Sequence, residues 1–545
     1  MRSTILILAV TLIGCGTASE KGTENVDWVF LNGQILSLDD ADTRASAMAI
    51  RGEEIVAVGG AELRDQYQGK VVDLDGSTIL PGFNDTHVHI IGRPYYYVDL
   101  TKVASIAEIQ QLIAAKVAAL GEGAWITGYG WSEDELAEGR RPLRGDLDAV
   151  APNNPIMLTR AGAHSAVFST TALALAGVDA TTPDPEGGVI ERDEDGELNG
   201  VIRERHNELV GRLIPDPEWV DLRASLAQQL KDLFSLGITS FTQANGQFEY
   251  FSEWQAIYEE YAGQLPRGTI QHFWRGTEAM EAFRRSAGVG DEELKVGAVK
   301  LLADGGFTGP AAYTKKPYRG EEEYRGKLNL PIGDIRTILT DAHAAGWQLG
   351  VHAIGDAAIE LVVEILADAL AAHPRADHRH YLNHFTVMPS LATMDKMAAR
   401  GIAISQQPNF LYTLEGRYVA NLDGDRLQRN NPMATPMSRG IHVAMSSDIL
   451  PLGPWVGIYA ATTRKGMSGA VYGPEEKISR IEALRAYTAK AAWLTFEEDR
   501  KGMLKAGMLA DFIVLDEDPL SVPDEELLNL RPAETWLGGR QVYVR

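Results

Sequence analysis

Cysteine is almost absent from this chain of 545 residues: Cys15 stands alone. No disulfide can form within the chain, and no metal can sit in a cysteine cluster. Any bound metal must be held by His, Asp, Glu or a modified Lys. Positive charge is also scarce. The 51 Lys and Arg residues face 75 Asp and Glu, for a net charge of −24. So acidic a surface argues against nucleic acid as a partner, and against an anionic membrane surface. Long apolar runs are missing as well. Crossing a bilayer takes about 18 or more consecutive apolar residues, and no stretch provides them. What is present is ordinary globular material, 45% hydrophobic and 23% charged. The length allows a large catalytic domain and a smaller one.

The lone cysteine has an informative setting. A short basic start, Met1-Arg2-Ser3, leads into an apolar stretch over residues 4–13. Leu12-Ile13-Gly14-Cys15 follows, and then the polar tether Gly16-Thr17-Ala18-Ser19-Glu20-Lys21-Gly22. The segment resembles the lipobox of bacterial lipoproteins. That resemblance implies that residues 1–22 are signal peptide and tether, with Cys15 lipidated as the new N-terminus. Acyl chains anchor a protein to a membrane without spanning it. Gly16, rather than Asp, after the cysteine implies a cell-envelope protein on the outer membrane, facing the periplasm.

Residues 27–82 read as short alternating strands with glycine at the turns, an all-β pattern. Matching strands recur at 510–515 and 534–544. Both ends are therefore expected to build one β-sandwich domain, from 27–82 and 502–545. Between them, apolar strands alternate with amphipathic helices. The strands fall at 80–89, 238–243, 269–274, 296–303, 348–352, 380–384, 402–407 and 442–448. Helical patterns cover 216–236, 250–261, 277–286, 333–345, 356–373, 390–400 and 479–494, with Asp356 as an N-cap. Eight strand–helix units spell an α/β fold, a (β/α)8 TIM barrel over 83–501. The interval after strand one is too long for a loop, so it holds an inserted subdomain over about 101–205.

Barrel enzymes carry their chemistry at the C-terminal ends of the strands. His87 and His89 end strand one, in Phe83-Asn84-Asp85-Thr86-His87-Val88-His89. Side chains two apart in a strand share a face, so both rings can close on one metal. Lys300 lies near the end of strand four, in Val299-Lys300-Leu301-Leu302-Ala303-Asp304-Gly305. His352 ends strand five, His384 strand six and Asp448 strand eight. A buried Lys300–Asp304 ion pair is the competing reading of the lysine. His343 reads as structural. His373, His378 and His380 read as a solvated loop on the N-terminal side of strand six.

These segments, with Pro81-Gly82 before the first, His352-Ala353-Ile354-Gly355-Asp356, Ser446-Ser447-Asp448 and Gly507-Met508-Leu509-Ala510-Asp511-Phe512, resemble the amidohydrolase superfamily in order and spacing. The likeness is to its amidohydrolase-3 branch, the YtcJ-like and N-substituted formamide deformylase-like hydrolases. It implies two divalent metal ions, zinc, with His87 and His89 on one and His352 and His384 on the other. Lys300 would be carboxylated and bridge both, with Asp448 touching the first metal and moving protons. The implied substrate is a small amide-like molecule, cleaved at a non-peptide C–N bond. Esterase or lactonase chemistry, a mononuclear deaminase and an inactive ligand-binding lipoprotein are the alternatives. Trp131, in Gly128-Tyr129-Gly130-Trp131, His164 in the insert, and Gln407 after strand seven are the candidate substrate contacts.

Overall fold

A computed structural model describes residues 23–545 apart from 134, 162–164, 186–187, 284–285 and 308–309. Cys15 and His164 lie outside the described residues. The eight expected strands form one parallel sheet in sequence order: Phe83–Val88, Ile238–Gly246, Arg267–Phe273, Leu294–Leu302, Leu349–Ala353, Tyr381–His384, Ala403–Gln406 and Val443–Met445. We call these barrel strands one to eight. The sheet closes through a parallel bridge between Val88 and Asp448, which completes the (β/α)8 barrel.

The outer helices form where apolar residues recur at helical spacing. Asp356–Ala372 buries Ile359, Val362, Val363, Leu366 and Leu370 on one stripe. Asp356 is not its cap. Gly355 occupies that place, and the Asp356 carboxylate accepts from the N–H groups of Ala357 and Lys315. The helical pattern at 479–494 splits into Arg480–Ala486 and Ala489–Leu494.

Strands from both chain ends make two further sheets. Glu24–Leu31, Ala47–Arg51, Glu54–Gly59 and Tyr67–Asp73 form a four-stranded one. The other joins Gln34–Leu36, Arg44–Ala45 and Thr78–Pro81 to Phe512–Leu515, Glu534–Leu537 and Arg540–Val544. The two share one apolar cluster, where the Phe30 ring meets Phe512 and Trp536 edge-on at 5.3 and 5.2 Å. The apolar run before His87 thus divides between two sheets, whereas sequence alternation placed residues from 80 on in the barrel. Gly82 is the handover. A Cβ there would lie 2.8 Å from Thr239 Cβ and closer still to its hydroxyl, so only glycine fits without movement. A buried Arg267–Asp511 ion pair at 2.6 Å joins the barrel base to the C-terminal strands.

The long interval holds a six-stranded sheet with its own apolar clusters. It runs from Tyr97–Asp99 to Leu198–Arg203 and so starts before residue 101. It leaves the barrel at the C-terminal end of strand one, the end where the chemistry is expected.

Candidate metal centre

Strand alternation alone would turn His384 away from the site, because its neighbour Asn383 points into the barrel. The backbone resolves this with left-handed φ angles of 77° at His384, 49° at Phe385 and 60° at Asp448. Non-glycine residues rarely adopt them, and they cluster where function requires a bend. Asp448 is held in its turn by its own N–H, which donates to the His87 carbonyl at 2.8 Å.

Together these bends bring four histidines, a lysine and an aspartate to one place. His89 Nε2 lies 3.4 Å from Asp448 Oδ1, while His87 Nε2 and His384 Nδ1 lie 3.9 Å from Oδ2. Ring centroids are 5.2 Å apart for His87–His89, 4.9 Å for His87–His384 and 4.3 Å for His352–His384. His87, His89 and Asp448 offer three ligand atoms within 4.8 Å of one another. Lys300 is buried and is felt by all four rings, whose pKa values its ammonium depresses. It is their common neighbour.

Burial is the larger cause of those depressions. It pushes His89 down to about 4 and His352 to about 3, and His87 and His384 well below their ordinary value. Burial also lowers Lys300 and raises Asp448, each partly offset by the other's charge. The donor set fits a metal by a further observation. His87 Nε2, His352 Nε2 and His384 Nδ1 are buried without a hydrogen-bond partner among the described residues. Buried polar atoms are rarely left so, and neutral imidazole nitrogens are the commonest metal ligands.

A supporting layer escaped the sequence reading. Asn383 Oδ1 accepts from His87 Nδ1 at 2.8 Å. Asp85 accepts from the Ser447 N–H and hydroxyl and from the His87 N–H, fixing the ends of strands one and eight together. Asp304 accepts from the N–H groups of Tyr313, Ile354 and Gly355 at 2.8–3.0 Å. It lies 3.7 Å from His352 Nε2, and no Lys300–Asp304 ion pair forms among the described residues. Asp85 and Asp304 stand in segments that the sequence already singled out. The reach of Asn383 across the barrel left no local signal.

One candidate substrate contact, Trp131, takes another place, and Gln407 is buried against the cluster. Trp131 is buried in the core of the insert, its indole N–H donating to the Leu158 carbonyl at 3.0 Å. Gln407 is buried beside the His384 ring. Its amide donates to the Ser446 hydroxyl at 2.6 Å and to the Ser405 carbonyl at 3.2 Å, and it faces the His384 ring. Of the histidines before strand six, His373 is exposed as expected, whereas His378 and His380 are buried at the barrel base.

Known proteins match this arrangement. The chain is 28% identical to the protein named YtcJ of Bacillus subtilis over 532 residues, 95% of this chain and 99% of that one. It is 27% identical to an N-substituted formamide deformylase of Arthrobacter pascens, over 96% of this chain and 99% of that one. A crystal structure of an uncharacterized metal-dependent hydrolase from Pyrococcus furiosus superposes with a TM-score of 0.72 at 25% identity, covering 91% of this chain and all of that one. A model of the amidohydrolase family matches residues 70–543, a span that runs through every strand carrying the converging side chains. The chain belongs to the amidohydrolase family of metal-dependent hydrolases.

Proposed function

We propose that the protein hydrolyses a non-peptide carbon–nitrogen bond, of the amide or N-formyl type, in a small molecule. The observation that carries this is the position of Asp448. Its carboxylate is shared by His87, His89 and His384 and sits in the field of Lys300. Full-length similarity to a formamide deformylase favours C–N over ester cleavage.

His87, His89 and Asp448 would hold one divalent metal, and His352 and His384 a second, with zinc the natural occupant of this nitrogen and oxygen set. Lys300 would bridge them as a carbamate. An ammonium has no lone pair for a metal, whereas the neutral amine attacks CO2, gains a carboxylate and releases a proton. Burial of Lys300 favours that neutral amine. When bound, the metals supply Lewis-acid polarisation and water activated at neutral pH.

Asp448 manages the proton. Its carboxylate takes one from the attacking water as the bond to the carbonyl carbon forms. It then returns that proton to the nitrogen as the C–N bond breaks and the amine leaves. In the metal-free site burial raises the Asp448 pKa, and the Lys300 charge opposes it. Asp85, through Ser447, holds the turn that presents it.

A screen of N-formyl amines, N-acyl amines, esters and lactones with the zinc-loaded protein tests the reading. Turnover of formyl or acyl amines, lost in Asp448→Asn, is expected. Turnover of esters or lactones alone overturns the C–N assignment. We further propose that a lipid on Cys15 tethers the enzyme to the cell envelope. Cys15→Ala should move it from the membrane to the soluble fraction, and a variant that stays on membranes overturns the anchor.

A further inference from the structure

Asn383 touches the site from the far wall of the barrel. It lies on strand six and is fully buried, and its Oδ1 sits 2.8 Å from His87 Nδ1 on strand one. Strands one and six are not neighbours in the sheet, so this contact crosses the barrel interior. An amide oxygen only accepts. The His87 ring must therefore carry its proton on Nδ1, which leaves the lone pair on Nε2. That atom lies 3.9 Å from Asp448 Oδ2 and has no hydrogen-bond partner among the described residues.

The rest of Asn383 is not satisfied. Its Nδ2 is buried with no hydrogen-bond partner among the described residues. The residue that follows is His384, with φ 77°. That bend lets two successive side chains serve opposite sides of the site.

We propose that Asn383 is a positioning residue that fixes His87 in its Nδ1–H tautomer and so aims Nε2 at a metal. Strand six then serves both halves of the site, one through His384 and the other through Asn383 and His87. The inference rests on the reading of His87 as a metal ligand.

The test is metal retention by zinc-loaded full-length protein dialysed against graded chelator, with metal counted by mass spectrometry. The melting temperature of the metal-free protein is measured alongside, for wild type, His87→Ala, Asn383→Leu and Asn383→Asp. Removing the hydrogen-bond partner of a ligating histidine costs about 10–100-fold in metal affinity. Asn383→Leu is expected to lose metal at about 10–100-fold lower chelator. Its metal-free melting temperature should hold, because the orphaned Nδ2 disappears as the His87 Nδ1–H becomes orphaned. Asn383→Asp still accepts from Nδ1 and is expected to keep metal at least as well as wild type. Equal retention by wild type and Asn383→Leu overturns the proposal. So does a loss of metal-free stability in Asn383→Leu that tracks the metal loss and that Asn383→Asp does not avoid. Full metal retention by His87→Ala would sink the ligand reading itself, a distinct result.

Discussion

Two groups of histidines sit at opposite ends of this barrel, and their hydrogen bonding is opposite. At the base, His343 Nδ1 meets His380 Nε2 at 2.8 Å, and His343 Nε2 meets the His373 carbonyl at 2.7 Å. His380 Nδ1 accepts from the Leu349 N–H, and His378 Nδ1 from the His380 N–H. His378 Nε2 donates to the Arg400 carbonyl at 2.8 Å. Every ring nitrogen of these three has a partner, and the directions of the bonds fix each neutral tautomer. At the mouth, three buried ring nitrogens have none among the described residues: His87 Nε2 and His384 Nδ1 face the Asp448 carboxylate, His352 Nε2 faces Asp304, and all three rings lie in the field of Lys300. Clustering alone does not make a metal site. Lone pairs left unused and aimed together do.

The largest expected effect comes from breaking the mouth. Lys300→Ala should strip metal and lower kcat/KM roughly 10³-fold or more, the scale of several kcal/mol of lost charge stabilisation. Short carboxylic acids with bicarbonate should restore part of it. Full activity in this variant would refute the bridging role. Asp448→Asn should lower kcat about 10²–10⁴-fold, the usual worth of a positioned acid–base group. Metal counting on the same sample separates that loss from metal loss.

The base should answer differently. His380→Ala removes the acceptor of the Leu349 N–H and the partner of His343, and opens a cavity. A destabilisation of about 2–4 kcal/mol is expected, read by urea unfolding, with metal content and kcat per folded molecule unchanged. If that variant loses metal, the two ends are not independent.

Acid should have the smallest effect. Burial holds His343, His378 and His380 below their ordinary value of 6.5, with Arg375 adding to the depression and Asp377 opposing it at His378. The native state therefore binds fewer protons than the unfolded chain. Stability from these groups is full above about pH 6.5 and declines as pH falls below it toward the native pKa values. The urea midpoint of the metal-loaded protein should be lower at about pH 5.5 than at about pH 7.5, and this gap should shrink in His380→Ala. An unchanged midpoint would show that the base rings take up protons in the native state as readily as in the unfolded chain.

The same contrast shows what could be read before folding. All eight barrel strands were legible because each is a short apolar run with turn residues beside it, and the chemistry-bearing side chains stand at their ends. His378 and His380 read as solvated because their burial comes from tertiary neighbours. The helix Ile332–Ala344 brings His343 onto His380, and nothing near residue 380 announces it. Trp131 reads as a substrate contact from its segment's resemblance, yet its indole N–H donates to the Leu158 carbonyl and its ring joins the insert core. Gln407 follows a barrel strand as a mouth residue would, and it is buried there, held by the Ser446 hydroxyl and the Ser405 carbonyl against the His384 ring. Asn383 was hidden by distance along the chain, 296 positions from His87.

As proposed, the mouth cluster would hold two metal ions through Lys300, while the base cluster would hold none. Metal stoichiometry of wild type, Lys300→Ala and His380→Ala, purified in parallel and counted by mass spectrometry, tests it most directly. About two equivalents are expected in wild type and in His380→Ala, and near none in Lys300→Ala. Metal retained in full by Lys300→Ala, or lost from His380→Ala alone, would contradict it.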